Sequence, residues 1–170
     1  SVCGSPPQLD LYFPLTKDEV LQIASCADTH VSTRLNMNSL SKASGAETPA
    51  GMENSIADVF GLQVMKESQY NQLLAYCGKP EVNLDGNGYL ITCDMGNSIT
   101  DFYDKVLASG VTISLGGHEL TPTAQKVDVE NSALADSVMG SNAGTIIVPD
   151  DVVDDAHLQI QTSNLLVNYN

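Results

Sequence analysis

The segment Ser98-Ile99-Thr100-Asp101-Phe102-Tyr103-Asp104-Lys105-Val106-Leu107-Ala108-Ser109-Gly110-Val111-Thr112-Ile113-Ser114-Leu115-Gly116-Gly117-His118-Glu119-Leu120 changes its apolar period once, and that change decides the fold. Ile99, Phe102, Tyr103, Val106 and Leu107 recur at i, i+3, i+4, i+7 and i+8, which makes one apolar stripe on a helix from about Ser98 to Ser109, with Gly110 at its end. Val111, Ile113 and Leu115 then alternate into Gly116-Gly117, and His118 and Leu120 carry the alternation out again. Period two places one strand face on a core, and two adjacent glycines permit the positive φ values of a tight hairpin turn. A helix whose stripe packs on a sheet, followed by a hairpin, is an α+β signal.

Working toward the N-terminus, Ser68 to Cys77 and Met52 to Gly61 have helical spacing, with Tyr70, Leu73 and Leu74 on the first and Ile56, Val59 and Phe60 on the second. Gly78-Lys79-Pro80 closes the first of these. Residues 38 to 51 are rich in Ser, Gly and Pro and read as an exposed loop, preceded by a strand in which Val31, Thr33, Leu35 and Met37 alternate. Thr16-Lys17-Asp18-Glu19 is a capping box that opens a short helix through Val20, Leu21, Ile23 and Ala24. Leu9, Leu11, Phe13 and Leu15 alternate as a first strand, and Pro14 within it suggests a sheet edge.

Toward the C-terminus, Val127 and Val129 make a short strand and Thr145 to Val148 a buried one, with a helix or loop over residues 131 to 144 between them. Leu158 and Ile160 lead into a last strand at Leu165 to Tyr169. The expected architecture is α+β: one β-rich domain over residues 1–170, built as an antiparallel sheet or sandwich with two to four helices packed against it.

Charge limits the partners. The 21 acidic and 7 basic side chains leave a net −14, and no Lys or Arg follows Lys126. Counterion release on nucleic acid requires clustered Lys and Arg, so no nucleic-acid partner is expected, and phosphate-bearing or anionic-lipid ligands are disfavoured for the same reason. The longest apolar run is the five residues Leu73 to Cys77, too short for a membrane span, so no membrane insertion is expected.

The four cysteines, Cys3, Cys26, Cys77 and Cys93, contain no CxxC pair, which removes zinc-ribbon and thioredoxin-type motifs. They are buried thiols or disulfides, and Cys3–Cys26 with Cys77–Cys93 is the local pairing among three. A start at Ser1 fits removal of a signal peptide and equally loss of an initiator Met, and the chain contains no Asn-x-Ser/Thr sequon.

Two segments have the composition of a cation site. Asn83-Leu84-Asp85-Gly86-Asn87-Gly88-Tyr89-Leu90-Ile91-Thr92-Cys93-Asp94 overlays a twelve-residue calcium loop, with oxygen ligands Asn83, Asp85, Asn87 and Asp94, Gly88 at the sharp turn and Leu90 at the apolar position. Asn83 replaces the usual Asp, and Asp94 is shorter than the closing Glu. The competing reading is a hairpin with strands Glu81 to Leu84 and Tyr89 to Cys93. In the second segment Asp150, Asp151, Asp154 and Asp155 gather four carboxylates, with His157 close behind. They suit a divalent ion, or a solvated helix start after Pro149, where negative charge is favourable.

Catalytic patterns are missing. The chain has no Gly-x-Ser-x-Gly elbow and no phosphate loop, and Gly86-Asn87-Gly88 lacks the third glycine of a dinucleotide fingerprint. His118-Glu119 begins a zinc-protease pattern, but Pro122 stands where the second His belongs; Cys26 and His30 form only a short-spaced thiol and base. The expectation is a non-catalytic structural subunit that assembles with copies of itself in an extracellular filament, pilus-like fibre or virus particle and needs no cofactor. Exposed strand edges supply the contacts, with residues 38–51 and 158–170 as the candidate segments. A secreted calcium-binding or adhesion module is the alternative, and a hydrolase assembled from remote residues the third.

Overall fold

A computed structural model describes residues 8–16, 18, 37–47, 63–92, 97–125 and 145–165. Among the described residues seven strands form one sheet: β1 (Gln8–Thr16), β2 (Gln63–Lys66), β3 (Gly88–Thr92), β4 (Ile113–Leu115), β5 (His118–Pro122), β6 (Thr145–Val148) and β7 (Leu158–Leu165). Their spatial order is β4-β5-β3-β6-β2-β1-β7. Four helices accompany it among the described residues: α1 (Met37–Ser44), α2 (Glu67–Tyr76), α3 (Asn97–Ser109) and α4 (Asp150–Ala156). The class is α+β and sheet-rich, as expected.

The sheet is mixed rather than antiparallel. β2 runs parallel to β6, with Val64 opposite Ile146 and Met65 opposite Ile147, and β3 runs parallel to β5. The parallel pair is the centre of the core: all four residues of β6 are buried, and Val64 and Met65 are fully buried opposite them. Such strands read as continuous apolar runs because both faces are covered. α2 packs on β1, β2 and β6 through Tyr70, Leu73 and Leu74, and α3 packs on β3.

The sheet also curls. α4 contacts both β2 and β4, which lie four strand spacings apart, about 19 Å in a flat sheet. A seven-residue helix is only about 10 Å long, so one helix reaches both strands only if the sheet bends toward it.

The hairpin and its helix stand as the sequence predicts. β4 and β5 pair antiparallel, Ile113 opposite Leu120 and Leu115 opposite His118, around Gly116 and Gly117 at φ 59° and 79°. α3 ends where the amide of Gly110 donates to the carbonyls of Val106 and Leu107.

Three expectations are corrected. Pro14 does not mark an edge: β1 lies between β2 and β7, and the proline falls where the β1–β7 register shifts between Tyr12 and Thr16. An irregularity of that kind is where an interior strand tolerates a residue without an amide hydrogen. Residues 37–44 are helical rather than strand end and loop, because Leu40, 2% exposed, anchors a polar turn that packs against α3. The hydroxyl of Ser44 donates back to the Leu40 carbonyl at 2.6 Å. Finally, Glu81 to Leu84 is not a hairpin strand. β3 pairs with β5 and β6, while the 81–84 arm is held by α2 side chains.

The capping box beyond Asp18, the strand at 31–36, the helix at 52–61, the strand at Val127 and Val129, residues 131–144 and the end of the last strand after Leu165 lie outside the described residues. No helix among the described residues is long and apolar enough to cross a membrane.

Candidate functional site

The acidic helix α4 begins at Asp150 after Pro149, and its four carboxylates face different neighbours. Asp150 Oδ1 accepts from the Ser68 amide at 2.9 Å. That amide belongs to the first turn of α2, where Lys66 at the N-cap has no side-chain cap, so Asp150 supplies from another element the acceptor a Ser or Asp cap would have given. Asp154 accepts from Lys66 Nζ at 3.0 Å, and this hydrogen bond is the main reason the Lys66 pKa is raised. Asp155 Oδ2 lies 2.6 Å from His118 Nε2 on β5. Asp151 is exposed. Val152, Val153 and Ala156 are buried between these contacts. α4 thus ties the start of α2, the end of β2 and the β4–β5 hairpin together. The charges the sequence gathers within six residues are separated in space by what each binds.

Gly116 explains how close that tie is. A Cβ at this position would lie 2.8 Å from the Val152 carbonyl oxygen and 2.9 Å from the Ala156 nitrogen, so the hairpin turn sits directly on the α4 backbone. Its left-handed φ adds a second reason for glycine.

Residues 83–87 form a tight turn leading into β3. The Leu84 carbonyl accepts from the amides of Asn87 at 3.2 Å and Gly88 at 2.8 Å, and Gly88 has no room for a Cβ against that same carbonyl. Asn83 Oδ1 accepts from the Asp85 amide at 2.9 Å, an Asx turn that directs this oxygen to its own loop. Asn83, Asp85 and Asn87 are exposed, and Asp94 lies outside the described residues. Glu67 Oε2 accepts from the Leu84 amide, and the Asn71 side-chain amide exchanges two hydrogen bonds with the backbone of Val82.

An open groove of about 500 Å³ is lined among others by Glu67, Glu81, Gly86, Asp150 and Asp151, so Gly86 of the turn meets the start of α4 there, while Asn83, Asp85 and Asn87 do not line it. Within it, Glu67 and Asp150 already accept backbone amides, while Glu81 and Asp151 are exposed. Among the described residues no group of three His, Cys, Asp or Glu is arranged to hold a metal ion.

Among the described residues, His118 and Asp155 form an acid–imidazole pair that the sequence does not announce, because 37 residues separate them and only the fold joins them. No Ser or Cys side chain among the described residues is hydrogen-bonded to this imidazole. His157 is an exposed left-handed residue at the C-cap of α4, and His30 lies outside the described residues. Tyr89 and Tyr103 are buried, which pushes both phenols well above their ordinary pKa; Tyr103 donates to the carbonyls of Tyr89 and Thr123 as a structural tie. Cys77 is half-buried against the core, and Cys3, Cys26 and Cys93 lie outside the described residues, so the local pairing is not described.

The candidate contact surface is β7. It pairs antiparallel with β1 and stands last in the sheet, so among the described residues its outer side has no neighbouring strand. It starts at Leu158, earlier than the Leu165 expected from the C-terminal apolar residues, and Leu158 packs on the core while Ile160 is 48% exposed. The strand Leu-Gln-Ile-Gln-Thr-Ser-Asn-Leu contains neither a charge nor a proline, two of the devices by which edge strands are kept from pairing further, and its backbone carries one irregularity, a register shift against β1 between Ile160 and Thr162.

Neither protein-family models nor curated proteins nor solved structures yield a match to this chain.

Proposed function

We propose that the chain is a non-catalytic structural subunit that assembles with copies of itself into an extracellular filament, a pilus-like fibre or a virus particle. The observation that carries this reading is the β7 edge, eight residues long, uncharged and free of proline. Such an edge offers a row of amides and carbonyls to another strand, and pairing of this kind is a recurring mode of protein assembly. The net acidity fits the same role, since a charge of −14 keeps copies apart except where a specific contact overcomes repulsion. Light scattering of the full-length protein, followed by negative-stain imaging, tests it. Large regular particles or filaments that form without calcium support the subunit reading, and a monomer at every concentration overturns it.

The acidic groove favours a second reading, a calcium-binding or adhesion module, because Glu81 and Asp151 remain exposed beside Glu67 and Asp150. A ligand that binds only the folded state raises the unfolding temperature with its concentration. Calcium titration that leaves thermal unfolding unchanged removes this alternative.

A further inference from the structure

We infer that the first contact between copies is symmetric: β7 pairs antiparallel with β7 of a second copy across a two-fold axis, which joins two seven-stranded sheets into one. This rests on the assembly reading above and goes beyond it by fixing which edge meets which.

Head-to-tail addition needs two complementary edges, whereas a two-fold contact uses one edge twice. The two edges of this sheet are unequal. A β7–β4 junction has at most the three residues of β4 to pair, while β7–β7 has eight on each side. β4 is also packed against α4. Electrostatics points the same way. Two copies at −14 each repel over most of their surfaces, and residues 158–170 carry no Asp, Glu, Lys or Arg, so this strip meets its own copy without adding like charge.

β7 shifts register against β1 at Gln161, where Leu11 pairs Thr162 but Tyr12 pairs Ile160, so the regular stretches that can meet a second copy lie on either side of that irregularity. Ile160, 48% exposed, gains a cross-strand neighbour in such a pairing.

Hydrogen exchange of the full chain at low and high protein concentration, read beside light scattering, tests this. The expected result is a species of twice the chain mass, with slowed exchange over residues 158–165 at high concentration and unchanged exchange over 113–115. Ile160→Asp should weaken the dimer about a hundredfold, because each copy then brings a carboxylate to the seam. Protection of both β7 and β4 would mean head-to-tail pairing and overturn the inference. So would an assembly without added protection in β7, or one that Ile160→Asp leaves intact; the broader assembly reading would survive all three. A monomer at every concentration overturns both. If Ile160→Asp fails to fold, the exchange pattern of the unaltered chain still decides.

Discussion

The two edges of this sheet end in opposite ways. At one edge β4 has three residues, turns at once into β5 through Gly116 and Gly117, and lies against a helix that also binds the neighbouring strand through His118 and Asp155. At the other edge β7 runs for eight residues with no charge, no proline and, among the described residues, no cover on its outer side. Shortness limits strand addition, and β4 offers only three residues. Among the described residues the difference separates a short boundary strand from a long one that is chemically able to continue, within a single hydrogen-bonded sheet.

Breaking the closed edge should have the largest effect. Gly116→Ala combines a left-handed φ with a Cβ less than 3 Å from two α4 backbone atoms, so either the turn or the helix must move. We expect a loss of about 3 kcal/mol, the sum of the conformational penalty and the collision, read from the urea midpoint. Exchange over 113–115 should accelerate together with that over α4. A loss below about 1 kcal/mol would show that the hairpin does not depend on this contact.

Alkaline pH probes the layer that supports the closed edge. Tyr103 donates to the Tyr89 carbonyl at 3.0 Å and to that of Thr123 at 2.5 Å, joining β3 to the segment just after β5. Burial raises the pKa of both phenols above 10.0, and the hydrogen bond to Asp154 raises that of Lys66 above 10.5. In each case the folded state holds its proton more tightly than the unfolded chain. The stability these groups contribute is therefore fully present below pH 10 and falls as pH rises above it. Each tyrosine adds up to about 1.4 kcal/mol per pH unit to that slope. Tyr103→Phe should cost about 1 kcal/mol at neutral pH, because the Tyr89 carbonyl keeps the Thr123 amide and only the Thr123 carbonyl loses its phenolic donor. It should also make the alkaline decline shallower; an unchanged slope would count against the buried phenol as its source.

The closed edge was the most legible part of the chain. Residues 98–120 state both their periods and their turn locally, and α3, β4 and β5 follow within two residues of those signals. The open edge was half legible: a last strand was expected at Leu165 to Tyr169 with Leu158 and Ile160 leading into it, whereas the strand already starts at Leu158, and nothing local states that β1 will take only one of its sides. Less legible still was the centre. β2 reads Gln-Val-Met-Lys, four residues with no alternation, and its parallel partner β6 stands 82 positions further on, so only tertiary packing specifies their pairing. The polar helix α1 carries one buried anchor, Leu40, within a composition that otherwise favours a loop. The acidic quartet is a further case. Its composition resembles a cation site, but its partners Ser68 and Lys66 are 82 and 88 residues away, and no spacing rule connects them.

At the open edge the same kind of perturbation should leave the monomer almost intact. Ile160 is already half in water, so Ile160→Asp removes little buried area and costs the isolated chain about 1 kcal/mol or less, mostly strand preference. Measured at concentrations where the wild type is dissociated, a loss much greater than this would mean that Ile160 serves the fold rather than a contact between copies.

The smallest expected effect distinguishes two ways in which the closed edge is held. His118 and Asp155 are close, but their side chains remain 34% and 58% exposed, so water and salt screen most of their attraction. Asp155→Asn should lower stability by about 0.5 kcal/mol, and the difference from wild type should shrink further in molar salt. Gly116→Ala, acting through contact rather than charge, should be indifferent to salt. If the ratio were reversed, with Asp155→Asn the costlier change, the hairpin would be held to α4 chiefly by this pair. The short β4 edge would then open when the pair is lost, and the contrast with β7 would depend on solution conditions rather than on packing.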